Sequence, residues 1–306
     1  MPIGVTAILL ALGAALAYGA SDFLGGRAST RAHFSLVTVV GAGTALIIAL
    51  VAAALVDGTL SGTPLMWGLV SGLGSGFGTL FLYRGLARAR VAVVAPTSGV
   101  LAAAMPAGLA VVLGERPAPL AVVGLVIALP AVWLISGGGG DSSDNGRPSG
   151  VIDGVLAGLG FGLLFFALDR AGDSAGLWPL AAGQAAAFAL VGVVALKSSR
   201  PVPQPAITTP RPAEPGRGPA PEEAPEPESR PWWPIAVATG VLASAATLLF
   251  YASTTTGLLT IAAVLTSLYP AGTIVLARLV LDERISRRQG LGLALAGCAV
   301  VLITLG

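Results

Sequence analysis

Ten stretches of this chain, most of them about 20 residues long, are almost free of charge: 3–24, 34–56, 65–86, 91–113, 118–136, 151–170, 176–196, 232–252, 257–281 and 288–305. About 20 apolar residues in a helix rise roughly 30 Å, the thickness of a bilayer's hydrocarbon core. Lipid offers the backbone no hydrogen bonds, so a spanning segment must satisfy its own N–H and C=O groups. For isolated apolar stretches of this length the helix does that. Charge argues the same way. A soluble domain is about one quarter charged residues, whereas this chain has 10% charged and 55% hydrophobic residues, too little charge to coat a surface in water. The chain reads as an all-α integral membrane protein with ten transmembrane helices and the lipid bilayer as its surroundings. No Lys or Arg precedes the first stretch, so it is expected to be a retained helix rather than a signal peptide.

The second half of the chain repeats the first. A shift of 168 residues lays Thr79-Leu80-Phe81-Leu82-Tyr83 on Thr247-Leu248-Leu249-Phe250-Tyr251, and Val112-Leu113-Gly114-Glu115-Arg116 on Val280-Leu281-Asp282-Glu283-Arg284. A shift of 147 residues lays Leu12, Gly13, Leu16, Ala20, Asp22 and Gly25 on Leu159, Gly160, Leu163, Ala167, Asp169 and Gly172. The shifts differ because a segment has been inserted between spans seven and eight. Residues 197–231 hold 11 of the 22 prolines with five basic and five acidic residues, a composition that stays extended and disordered. The expected plan is a five-helix repeat over 1–136, a flexible link over 137–150, and a second repeat over 151–306 carrying the insertion 197–231. Five is odd. A second copy therefore enters the membrane from the opposite side, which makes the two repeats inverted.

The loop charges agree with inversion. Arg84, Arg88 and Arg90 match Ala252, Thr256 and Leu258, while Pro119 and Leu120 match Arg287 and Arg288. Odd-numbered loops hold 14 of the 17 basic residues, which by the positive-inside rule puts them in the cytoplasm and both termini outside.

Ten spans, a five-helix repeat, and Gly114-Glu115-Arg116 and Asp282-Glu283-Arg284 after the fourth helix of each copy resemble the EamA-type transporters of the drug/metabolite transporter superfamily. The resemblance covers nearly the whole chain. It implies a basket of ten helices in which the first four of each repeat line a central substrate path and the fifth is peripheral. It implies transport, often export, of small metabolites such as amino acids. It also implies cytoplasmic termini, against the charge count. Tyr18-Gly19 stands where many members have Trp-Gly, and the Pro-rich insertion is a further departure.

Small residues let membrane helices approach closely, and three spans carry them at every fourth position: Gly68, Gly72 and Gly76; Gly154, Gly158 and Gly162; Ala236, Gly240 and Ser244. Charges inside the membrane are few, and each should face protein or water. Asp22 and Asp169, repeat mates near the ends of spans one and six, are candidates to bind a substrate ammonium group or a coupling proton. The alternative is a pair of interfacial carboxylates, with Asp169 beside Arg170. Arg84 and Arg88 either attract an anionic group or anchor their helix, and Arg278 is placed to pair with Asp282. Glu115 and Glu283 are expected to cap tight turns. Prolines Pro96, Pro106 and Pro270 release carbonyls that lipid tolerates only beside protein or a wet cavity. With the hydroxyls of Thr97, Ser98, Thr266, Ser267 and Tyr269 they mark spans four and nine as the expected substrate path, joined by the repeat mates Tyr83 and Tyr251.

These features point to a secondary-active exporter of small metabolites such as amino acids, working by alternating access. The alternatives are an efflux carrier for amphiphiles and, from another class, an intramembrane enzyme or a channel. The one His and one Cys build no metal site, no phosphate loop is present, and neither a cofactor nor catalysis is expected. The net charge of +2 implies no nucleic-acid partner. Arg-rich composition with Lys197 as the one lysine suggests the inner membrane of a bacterium with a GC-rich genome.

Overall fold

The computed structural model describes residues 5–89, 91–112, 119–137, 150–172, 174–198, 231–256, 265–281 and 287–305. The elements they form are helices: α1 (Val5–Ser29), α2 (Phe34–Leu55), α3 (Gly62–Arg88), α4 (Val91–Val112), α5 (Pro119–Gly137), α6 (Val151–Ala171), α7 (Trp178–Ser198), α8 (Trp233–Thr256), α9 (Tyr269–Leu281) and α10 (Arg287–Leu305). Six of these, α1, α2, α3, α6, α7 and α8, are long and apolar enough to cross a membrane. The expected turns at Glu115 and Glu283, the Asp282 partner of Arg278, and nearly all of the 137–150 link and the 197–231 insertion lie outside the described residues.

Two expectations need correction. The stretch 257–281 was expected to be one helix, yet in its described part, 265–281, only the 13 residues of α9 form a continuous one. A turn at Ser267–Leu268 precedes it, and Pro270 has no N–H with which to continue a helix arriving through that turn. Pro270 sits instead in the first turn of α9, where a missing N–H costs nothing, so it does not release a carbonyl as expected. The second correction is to α1, which runs to Ser29 rather than ending at residue 24. Gly25 and Gly26 do not stop it. They pack on Tyr83 and Leu86 of α3, and a Cβ at Gly25 would collide with the Tyr83 ring.

The small-residue faces are contacts. Gly68, Gly72 and Gly76 meet Pro179, Gly183 and Ala187 of α7, and a Cβ at Gly72 would run into the Gly183 carbonyl. Gly154, Gly158 and Gly162 meet α4, where added Cβ atoms would lie 2.8, 2.6 and 2.7 Å from Thr97 Cβ, Leu101 Cβ and Met105 Cβ. Gly240 of α8 meets the Gly41 carbonyl of α2. Without hydrophobic driving force between helices in lipid, this backbone approach is the source of their van der Waals contact.

The packing pairs are α3 with α6 and α7, α1 with α8 and α9, α4 with α6, α2 with α7 and α8, and α5 with α10. Their register gives direction. Gly25 faces Tyr83 and Gly26 faces Leu86, so the C-terminal ends of α1 and α3 lie together. Gly74 faces Gly160 while Gly78 faces Ala157 and Phe161, so α6 runs against α3. Tyr18 bonds Thr247 while Ser21 bonds Thr239, so α8 runs against α1.

Candidate functional site

The six long helices surround a central cavity that is open at its mouth. Tyr18, Ser21 and Asp22 of α1, Thr38 of α2, Ser75, Thr79 and Tyr83 of α3, Gln184 of α7, and Thr239 and Thr247 of α8 are its polar lining. Phe161, Leu164 and Phe165 of α6 supply an apolar wall, and Tyr269 enters from the start of α9. Asp22 is 6% exposed and is the one charged group among the described lining residues. It reaches the cavity because α1 continues seven residues past it.

Four of the lining serine and threonine hydroxyls are tied to the main chain. Ser21 donates to the Thr239 carbonyl across the α1–α8 contact at 2.9 Å. Thr38, Thr239 and Thr247 donate to the carbonyls of Phe34, Ala236 and Ala243 in their own helices. With its proton on Ala243, Thr247 Oγ1 accepts from the Tyr18 hydroxyl, 2.8 Å away. Ser98 of α4 likewise donates to the Ala95 carbonyl and accepts from the Tyr269 hydroxyl at 2.7 Å. Tyr18 and Tyr269 meet edge to face at 6.3 Å, and Phe161 and Tyr269 at 6.1 Å.

Hydrophobic clusters flank the cavity along the helix axes. Leu82 and Tyr83 pack with Ala28, Val37, Leu86 and Val94 at the end where α1 and α3 finish. Phe250 and Tyr251 pack with Leu164, Phe165, Leu168 and Leu180 toward the other. Leu82–Tyr83 and Phe250–Tyr251 occupy matching places in the repeat. At the first end Arg84 of α3 clamps Asp153 of α6, its Nε 2.7 Å and its Nη2 2.5 Å from Oδ1, with the guanidinium 4.3 Å above the Phe81 ring. The matching places at the other end are Ala252 and Thr6. There the Tyr251 hydroxyl reaches the Gly176 and Gly172 carbonyls at 2.9 and 3.3 Å.

Of the residues named as candidates for a substrate path, Asp22, Tyr83 and Tyr269 line this cavity. Asp169 is exposed near the end of α6, with Arg170 over the Phe166 ring. Arg84 is committed to Asp153, Arg88 lies exposed near the Phe34 ring, and Tyr251 faces the α6–α7 turn. Pro96, Thr97, Ser98, Thr266, Ser267 and Pro270 are buried where α4 and α9 pack inside the bundle. There Gly99 makes room for Pro270, Thr97 donates to Val93 O, and Thr266 donates to Ala11 O at 3.4 Å. These helices buttress the cavity through Tyr269 rather than line it. The lining polar groups that sequence reasoning passed over are Tyr18, Ser21, Thr38, Ser75, Thr79, Gln184, Thr239 and Thr247. The signal for two of them was present, since Thr79 and Thr247 open the most closely matched block of the repeat.

A helical, multi-pass membrane protein enclosing a cavity between its long helices is the class that fold and site define. Residues 5–137 and 220–305 match the EamA-like transporter family, and the chain belongs to that family of transporters. Among curated proteins none matches it. A solved structure titled "Crystal structure of protein" aligns over 98% of both chains with a TM-score of 0.52 at 16% identity, a likeness of fold.

Proposed function

We propose that this protein is a secondary-active transporter that exports small organic solutes across a bacterial inner membrane by alternating access between two inverted five-helix repeats, ten spans in all. The carrying observation is the pair of clusters flanking the cavity, in which matching residues, Leu82–Tyr83 and Phe250–Tyr251, take matching places. A site bounded by two equivalent closures is what alternating access requires.

Inversion is supported by the packing. Exchanging each helix for its repeat mate turns the α3–α6 pair into α8–α1, α4–α6 into α9–α1 and α2–α8 into α7–α3, all of which are present. The helices also run in opposed directions: α1 and α3 one way, α6 and α8 the other. Tyr83 against Gly25 and Tyr251 against Gly172 repeat one contact within each half.

The reading is tested with protein reconstituted in liposomes preloaded with unlabelled phenethylamine or phenylalanine. Saturable uptake of the labelled solute, accelerated by the preload, identifies a carrier. Flux proportional to concentration and indifferent to the preload would indicate a pore. A proton is the proposed coupling ion, with Asp22 its site. Asp22→Asn then abolishes the response of transport to a pH gradient, and Asp169→Asn, exposed at its helix end, leaves it intact.

A further inference from the structure

The charge and hydrogen-bond polarity of the cavity bear on which solutes it holds. Asp22 is the one charged lining group among the described residues, and its carboxylate makes no hydrogen bond or ion pair among them. No Arg, Lys or His lines the cavity there. The nearest basic residue in sequence to a lining position, Arg84, is held by Asp153 outside it. A carboxylate buried without a cation is costly, and a positively charged guest removes that cost.

Six of the neutral lining groups select in the same direction. Ser21, Thr38, Thr239 and Thr247 have each placed their proton on a carbonyl oxygen, which can only accept. Tyr18 and Tyr269 must then donate to Thr247 and Ser98, whose own protons are spent. All six oxygens are left to present lone pairs. A hydroxyl has one proton and two acceptor sites, so this part of the lining takes N–H groups, while the donors that remain in the cavity, on Ser75, Thr79 and Gln184, are neutral. Beside it stand the rings of Tyr18, Tyr269, Phe161 and Phe165, suited to an apolar body and to a cation over an aromatic face.

We propose that the cavity selects organic ammonium ions that carry no carboxylate, a protonated amine on an apolar or aromatic body, over zwitterionic amino acids. An amino acid would satisfy Asp22 with its ammonium group while its own carboxylate met no cation among the described lining residues. This inference rests on the cavity being the transport site, and it departs from the family's usual amino-acid expectation.

The test is equilibrium binding to purified full-length protein by calorimetry, using phenethylamine, phenylalanine and phenethyl alcohol, which share one ring and differ in charge. Phenethylamine is expected to bind at least tenfold more tightly than either of the others. Asp22→Asn should erase that preference and Asp22→Glu should restore it. Both variants are checked for an unchanged elution profile, and the Glu variant guards against loss by misfolding. Phenylalanine binding as tightly as the amine, amine affinity unchanged in Asp22→Asn, or no amine binding to folded wild-type protein would each overturn the proposal. Failure of the transport reading looks different: Asp22-dependent amine binding without counterflow in liposomes retains the selectivity and removes the carrier.

Discussion

The Arg84–Asp153 pair ties α3 to α6 at one end of the bundle, and the matching places at the other end hold Ala252 and Thr6, so its removal should bias the protein toward opening at the Arg84–Asp153 end. Both nitrogens of the pair converge on one carboxylate oxygen, and the side chains are 32% and 14% exposed. Fully exposed pairs contribute about 0.2–1 kcal/mol, and breaking a buried one costs about 3–5 kcal/mol. This pair lies between, at roughly 1.5 kcal/mol, and 1.4 kcal/mol is a factor of ten in an equilibrium constant. Asp153→Asn should therefore raise the ratio of open to closed protein at this end about tenfold. The assay is the labelling rate of a cysteine placed at Ala45, which lines the cavity, in a Cys298→Ser background. A membrane-impermeant maleimide is added from the α3–α6 side. When labelling is slower than the conformational exchange, the rate reports the open population. It should rise about tenfold in Asp153→Asn and fall back in the charge-swapped Arg84→Asp/Asp153→Arg protein. Salt should speed labelling of the wild type more than of Asp153→Asn, since screening acts on a part-exposed pair. An unchanged rate in Asp153→Asn, or a swapped protein that labels as fast as the single variant, would refute the reasoning.

Other outcomes follow from the same contacts. Gly72→Ala forces the α3 and α7 backbones apart and should cost about 1–3 kcal/mol, seen as a lower Tm in detergent. Gly192→Ala, which meets nothing within 4 Å, should leave Tm unchanged. Tyr251→Phe removes the hydroxyl bonds to Gly176 and Gly172, a loss of about 0.5–1.5 kcal/mol. It should speed labelling of the same cysteine from the opposite side of the membrane, not from the α3–α6 side.

What the sequence disclosed and what it hid have separate physical causes. Helix positions were legible because crossing lipid demands long apolar runs, and the spaced glycines of α3 and α6 were legible because close approach demands a missing Cβ. The site was harder. Spans four and nine drew attention through Pro96, Pro106 and Pro270, yet proline marks where a helix bends or begins, not what its side chains face. Ser75, Thr79 and Gln184 look no different along the chain from hydroxyls and amides that face a neighbouring helix. Asp22 and Asp169 are equivalent in the repeat and differ in place. Gly25 stays inside α1, packed on Tyr83, whereas its mate Gly172 turns to a φ of 63° and ends α6. One aspartate is thereby buried in the cavity, and the other is left exposed near a helix terminus.

The central claim is that the two halves lie inverted in the membrane, and compartment-specific reporters test it most directly. One reporter is inserted in the 137–150 link and a second is fused to the C-terminus, each in otherwise intact protein. Five crossings separate the two positions, so the account predicts that they report opposite sides of the membrane. Both reporters on one side would contradict it.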